Sequence, residues 1–240
     1  MSAKIEPKHL WLFNKIMIVD SREEAIAEAY TEEFPEQADE LIKKAREGFP
    51  ESIGYKTVHQ LTKDIDVNVY LEQSIIDTES KEASLLKHFI DKFGEEAEKI
   101  ALKESFEHGK RYGEDAVMQY ALINSSPSGV YNILKHYLLD GWPPSLKITP
   151  VETTETSGLE MIEHHNKCMR IDNWKSVDAP VKILCDYTNE WIRGFCVKFN
   201  IDHERITSIA YGDKRCEQTF TKKVDRSGTG GRITEKQADR

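Results

Sequence analysis

Three cysteines and several titratable neighbours gather in one late stretch of the chain. It reads His164-His165-Asn-Lys-Cys168, then Leu184-Cys185-Asp186, then Gly212-Asp213-Lys-Arg-Cys216. A thiolate is both a nucleophile and a metal ligand, and a nearby carboxylate or imidazole can move protons for it. The residue types therefore point to a thiol-based catalytic centre or to a metal cluster, and three separate buried thiols is the plain structural alternative. Zinc or another divalent ion on Cys168, Cys185 and Cys216, completed by His164 or His165, is the metal version. No spacing is of the Cys-x-x-Cys kind, so the cofactor stays open.

The individual residues carry further expectations. Cys185 and Cys196 are eleven apart on one expected helix, roughly 16 Å along its axis, so they cannot share a metal. Cys196, between Phe195 and Val197, reads as a core cysteine. Cys185 sits early in that helix, where backbone N–H groups and the helix dipole favour a thiolate. Adjacent strand residues point to opposite faces, so only one of His164 and His165 can face the site. Asp186 reads as a dipole partner or an acid–base group. Asp213 follows Gly212 in a turn and either bonds its own backbone or acts as a general base.

Composition bounds the rest. With 240 residues, 39% apolar and 31% charged, the chain can bury one sizeable core or two small ones. A net charge of −9 disfavours nucleic acid and anionic membranes as partners and leaves a small-molecule substrate and homo-oligomers open. No apolar run reaches membrane-span length, and Met1 to Pro7 lack an h-region. The expected compartment is the cytoplasm, with thiols reduced.

The elements that must position these residues read as follows. The compact apolar run 8–19 is a helix or a buried strand, and Ser21 with Glu24 has capping-box spacing for a new helix that yields near Phe34-Pro35. A short helix carries Ala38, Leu41, Ile42 and Ala45 to Gly48, and 51–80 reads as another carrying Leu61, Ile65, Val69 and Tyr70. Leu86, Phe89, Phe93, Ala97, Ile100 and Ala101 form the stripe of one long helix from Ser80 to Ser105. Gly109 and Gly113 then permit close backbone approach or mark a break. His108 and Tyr112, four apart, are a boundary pair or line a pocket. Ser125 to Gly129 is a turn before a helix over Val130–Leu139, which Gly141-Trp-Pro-Pro144 stops.

Beyond that point the period changes to two. Strands are expected over Leu146–Thr154 and Leu159–His165, with a turn at Thr156-Ser-Gly158. Asp178 is the expected N-cap of a helix with Leu184, Trp191 and Phe195 inward. Arg205–Tyr211 and Cys216–Lys222 are the last two strands. The fold class is therefore α+β: a helical N-terminal half packed on a C-terminal antiparallel sheet in ββαββ order. The expected division is an N-terminal helical segment (1–80), a core (81–224) and a disordered tail (225–240).

Cys168, Leu184-Cys185-Asp186, Gly194-Phe195 and Gly212-Asp213-Lys-Arg-Cys216, with Phe93-Gly94-Glu-Glu-Ala97 and Gly109–Ala116 upstream, resemble the L-2-amino-thiazoline-4-carboxylic acid hydrolase family over roughly residues 85–222. More distantly they resemble the 4-vinyl reductase-type domains of small-ligand sensors, which bind zinc with a further cysteine eight residues before the last; that position here is Ser208. The hydrolase resemblance implies opening of a cyclic amidine or thiazoline ring at a C–N bond in a carboxylate-bearing substrate. It implies Cys185 or Cys216 as nucleophile or metal ligand, with Cys168 beside them. Asp186 or Asp213 would be the acid–base group, and His164 or His165 would assist. Arg193 and Arg215 are the candidate carboxylate partners, with His108 and Tyr112 as pocket residues. The alternatives are a non-catalytic ligand-binding module and a lyase on a related small organic acid.

Overall fold

A computed structural model describes residues 5–120, 126–139, 152–156 and 160–223. Pro7 opens helix α1 (Pro7–Glu33), where its fixed φ suits the first turn. The helix runs unbroken through Ser21, so the expected start there is corrected. The Ser21 hydroxyl bonds back to the Ile18 carbonyl at 3.0 Å and stays within the helix. As expected, α1 yields at Phe34, and α2 (Ala38–Ala45) follows.

The region 51–80 is not one helix. A single turn, α3 (Val58–Leu61), precedes α4 (Val67–Phe93), whose N-cap Asp66 accepts from the backbone N–H groups of Asn68 and Val69. The Ser80–Ser105 stripe is likewise split. Gly94 takes φ +61°, a conformation side-chain-bearing residues avoid, and separates α4 from α5 (Glu95–Gln119). The stripe still faces one core, in which Tyr30 stacks on Phe89 with centroids 3.9 Å apart and Phe34 on Phe93 at 3.8 Å.

Ser126 caps α6 (Pro127–Leu134). Residues 140–151 and 157–159 lie outside the described chain, and with them the Gly141-Trp-Pro-Pro144 stop, most of the first expected strand and the Ser157-Gly158 turn; so does the 225–240 tail. Strands β1 (Glu152–Thr156) and β2 (Glu160–His165) are followed by a short helix, α7 (Ile171–Lys175), and by α8 (Val181–Val197). Asp178 is not the N-cap of α8: it adopts φ +54°, and Pro180 holds the cap position. Strand β3 (Ile201–Thr207) begins and ends earlier than expected, since Ile209–Tyr211 forms a 3-10 turn capped by Ser208. Strand β4 spans Cys216–Lys222, as read from the sequence.

The architecture is α+β. The extra helix α7 modifies the simple ββαββ succession, and in space the antiparallel sheet runs β1-β2-β4-β3. Helix α8 ties it to the helices. A Cβ on Gly109 would fall 2.0 Å from the Trp191 carbonyl oxygen, and one on Gly194 would fall 2.0 Å from that of Phe106. Only glycine lets α5 and α8 approach so closely. No helix among the described residues is long and apolar enough to cross a membrane.

Candidate active site

Register brings the chemistry together. Strands β2 and β4 pair so that His165 opposes Cys216 and Glu163 opposes Gln218, and β3 adds Arg205 opposite Gln218. Cross-strand partners share a face with Cβ atoms about 5 Å apart. This face looks toward α8, where Cys185, Asn189 and Ile192 recur at helical spacing. The segment after β2 brings Cys168 and Arg170. A cavity of about 70 Å³ lies between them, lined by all three cysteines together with His165, Lys167, Arg170, Asn189 and Arg205.

Cys185 has the most distinctive surroundings. Arg205 Nη1 donates to its sulfur at 3.1 Å, and the Ser208 hydroxyl lies 3.1 Å away on another side. Ser208 thus abuts Cys185 directly. The Arg205 guanidinium is itself held by Asp186, which also accepts from the Tyr211 hydroxyl. Asp186 therefore orients Arg205 and is not among the residues lining the cavity.

Burial acts on the other two site thiols. Burial pushes the Cys168 thiol up, against Arg170 and two backbone N–H groups. Burial likewise raises Cys216, whose sulfur accepts from the Ile209 N–H at 3.4 Å. Cys196 is fully buried and raised for the same reason, as a core cysteine should be.

Of the two histidines, His165 faces the cavity. Its Nε2 lies 2.7 Å from Glu163 Oε1, and the same oxygen accepts from the Tyr131 hydroxyl. Glu163 is 3% exposed. Glu163 therefore orients the imidazole through Nε2. His164 points to the other face of β2, with Nδ1 3.3 Å from Glu217.

Several expected site residues lie elsewhere. Asp213 accepts from the Ser208 backbone N–H at 2.7 Å, so it fastens the turn, and it does not line the cavity. Arg193 pairs with Glu190, and Arg215 with Glu217, both outside the cavity. His108 and Tyr112 are buried in the α1–α5–α8 seam. Trp191 donates to His108 Nδ1 at 2.9 Å, and the Ser21 hydroxyl lies 3.2 Å from both His108 Nε2 and the Tyr112 hydroxyl. Burial pushes the His108 imidazole down to about 2, with Arg22 and Arg111 adding to the effect.

The metal expectation does not fit this donor set. Among the described residues no group of three or more His, Cys, Asp or Glu side chains gathers closely enough to hold an ion. Cys185 is engaged by a cation, and His164 lies on the opposite strand face from Cys216.

The sequence reading passed over Arg205, Arg170 and Glu163. Arg170 joins the cavity to a buried carboxylate, its Nε lying 3.4 Å from Glu79 Oε1. Burial lifts Glu79 to about 7, against the pull of Arg170 and of Asn173, which donates to it at 2.7 Å. Alternation along β2 could have marked Glu163 as inward beside His165. Nothing local marks Arg205 or Arg170. Comparison with protein-family models, with curated proteins and with solved structures returned no match.

Proposed function

We propose that the protein is a cysteine-centred hydrolase that opens a C–N bond of a small cyclic amidine, of the thiazoline type, carrying a carboxylate. The observation that carries this reading is the Arg205 guanidinium 3.1 Å from Cys185 Sγ, in a cavity shared with a carboxylate-held His165. A cation donating to sulfur stabilises negative charge on it, and an imidazole backed by a buried carboxylate can accept and return protons. Cys168 and Cys216 form the wall.

The chemistry balances with these groups alone. From a Cys185 thiolate and a His165 imidazolium, the thiolate adds to the amidine carbon, and the electron pair of the C=N bond moves to the ring nitrogen, which takes a proton from His165. Collapse of the adduct breaks the bond from carbon to ring nitrogen. That nitrogen leaves as an amine after His165 relays it a proton from the exocyclic nitrogen. Water, deprotonated by His165, adds to the sulfur-bound carbon while the remaining C=N pair moves to the exocyclic nitrogen, which takes that proton back from His165. The new hydroxyl then gives its proton to His165 as the carbonyl forms and the Cys185 thiolate departs. One water is consumed, the C–N bond becomes C=O, and both residues return to their starting states.

Charge favours the expected substrate class. Lys167, Arg170, Arg205 and His165 line the cavity, and no aspartate or glutamate among the described residues does, in a chain of net charge −9. Arg170 and Lys167 replace Arg193 and Arg215 as partners for a substrate carboxylate.

The rival reading is a non-catalytic module that binds the same class of ligand in this cavity; its small volume, well under the roughly 300 Å³ of ordinary small-molecule sites, bears equally on both. The two readings separate by product analysis. Purified protein is incubated with a panel of thiazoline and other cyclic-amidine carboxylic acids and followed by mass spectrometry. Hydrolysis requires a product one water heavier than its parent, lost in Cys185→Ser. Saturable binding without any product establishes the module instead.

A further inference from the structure

A second and much larger cavity, about 450 Å³, lies in the N-terminal half between α1, the 50–56 connection and α4. That volume is within the ordinary range for small-molecule sites. Its α4 wall is polar where a buried helix face is expected to be apolar: Tyr70, Ser74, Asp77, Thr78 and Lys81 recur along one side. Two of these groups, both lining the cavity, have donor capacity that no described protein group fills.

The first is Thr78. It is 5% exposed, it lines the cavity, and its hydroxyl has no hydrogen-bond partner among the described residues. The second is Lys81, whose side chain is 4% exposed. Its ammonium makes one hydrogen bond, 2.6 Å to Asp20 Oδ1, while Glu23 stands at 4.0 Å, too far for another. An ammonium carries three donors and no acceptor, so donors remain unfilled. Asp20 offers no further help, because its other oxygen already holds the Ser52 hydroxyl at 2.5 Å and the Ile53 N–H at 2.8 Å. The floor of the cavity thus presents unused N–H and O–H donors one helical turn apart.

The rim has the opposite character. Asp77 and Glu51 line it without a cationic partner among the described residues, and Lys56 offsets only one of the two charges. Ile53 and Leu61 supply an apolar wall. The ion pairs behind the floor are balanced, Lys81 with Asp20 and Arg46 with Glu23. A simple anion would meet no net positive charge, and a simple cation would leave the floor donors empty.

We infer that this cavity is a binding site for a zwitterionic α-amino acid with an apolar side chain. The carboxylate takes the free donors of Lys81 and Thr78, the ammonium faces Asp77 and Glu51, and the side chain lies on Ile53 and Leu61. The site shares no lining residue with the cysteine cavity, so it stands apart from the proposed hydrolysis.

Isothermal titration calorimetry on the full chain with L-leucine and L-phenylalanine tests this, with N-acetyl-L-leucine and L-leucinamide as forms lacking one charge. The parent amino acids are expected to bind at least tenfold more tightly than either masked form. Thr78→Val should weaken L-leucine roughly tenfold, the scale of one hydrogen bond to a charged group. It should leave the melting temperature unchanged, because the hydroxyl makes no protein bond. Asp77→Asn should weaken binding similarly, and Cys185→Ser should not alter it. The inference is overturned if neither amino acid binds at millimolar concentration, if a masked form binds equally well, or if Thr78→Val binds L-leucine as the parent chain does.

Discussion

Cys185 and Arg205, on a helix and a strand, meet at 3.1 Å, and Asp186, next to that cysteine, holds the other end of the same guanidinium. Two consecutive helix residues thereby grip one cation from both sides. If that cation supports charge on sulfur, Arg205→Met should slow alkylation of Cys185 by iodoacetamide roughly tenfold at neutral pH. Mass spectrometry of the modified peptides reads this directly. Arg205→Lys, which keeps charge but loses the two-sided fork, should fall between. Equal alkylation rates in all three proteins would remove the thiolate role.

A different dependence is expected at Glu163. Replacing it with glutamine preserves shape and a hydrogen-bonding oxygen but removes the charge facing His165. Turnover on a cyclic amidine substrate should drop about tenfold to a hundredfold, mainly in kcat. Because Glu163 holds both His165 and Tyr131, the stability read from the urea midpoint should also fall, by about 1.5–3 kcal/mol, the scale of a buried hydrogen bond to a charged group. A variant that loses stability while keeping its kcat would make Glu163 a fold residue only.

Which of these features could be read from the chain depends on how local they are. Strand β4 was legible because turn residues and alternation announce it, whereas α6 starts at Pro127, inside the Ser125–Gly129 stretch that reads as a turn, and ends at Leu134. Paired glycines at 109 and 113 left two readings, close approach or a break, and the contact with Trp191 selects the first. Convergence of Cys168, Cys185 and Cys216 followed from placing a helix against a sheet end. Arg205 was not legible: its partnership with Cys185 depends on strand register and on where β3 ends, and the 3-10 turn at Ile209 shifts that end. The Gly94 break was hidden because the apolar stripe continues in phase across it. Asp178 looked like a cap by type, yet its positive φ places it before the helix proper.

The contact between α5 and α8 should be the least tolerant part of the fold. Gly194→Ala places a methyl 2.0 Å from the Phe106 carbonyl oxygen, on a backbone that a helix cannot yield locally. The two helices must separate, which costs about 3 kcal/mol or more. Urea unfolding followed by circular dichroism should show that loss, or no folded protein. Gly48→Ala provides the contrast: no atom lies within 4 Å of its added methyl, and only its φ of +84° opposes the change. Its cost should be about 1 kcal/mol.

Glu79 predicts a pH signature. Its carboxyl is raised in the folded chain from 4.5 to about 7, chiefly by burial, so the folded state binds that proton more tightly than the unfolded one. The resulting stabilisation is fully present below 4.5 and is lost as pH rises through about 7. One pH unit corresponds to 1.36 kcal/mol, so this group alone should withdraw roughly 3 kcal/mol across the window. His108 and His203, both lowered by burial, work the other way in acid, so the wild-type profile alone does not isolate Glu79. The difference between wild type and Glu79→Gln does. The variant keeps a neutral hydrogen-bonding group beside Asn173 and should gain on the wild type steadily from pH 5 to pH 7.5, as read from urea midpoints. A difference that stays constant over that range would mean Glu79 does not titrate there.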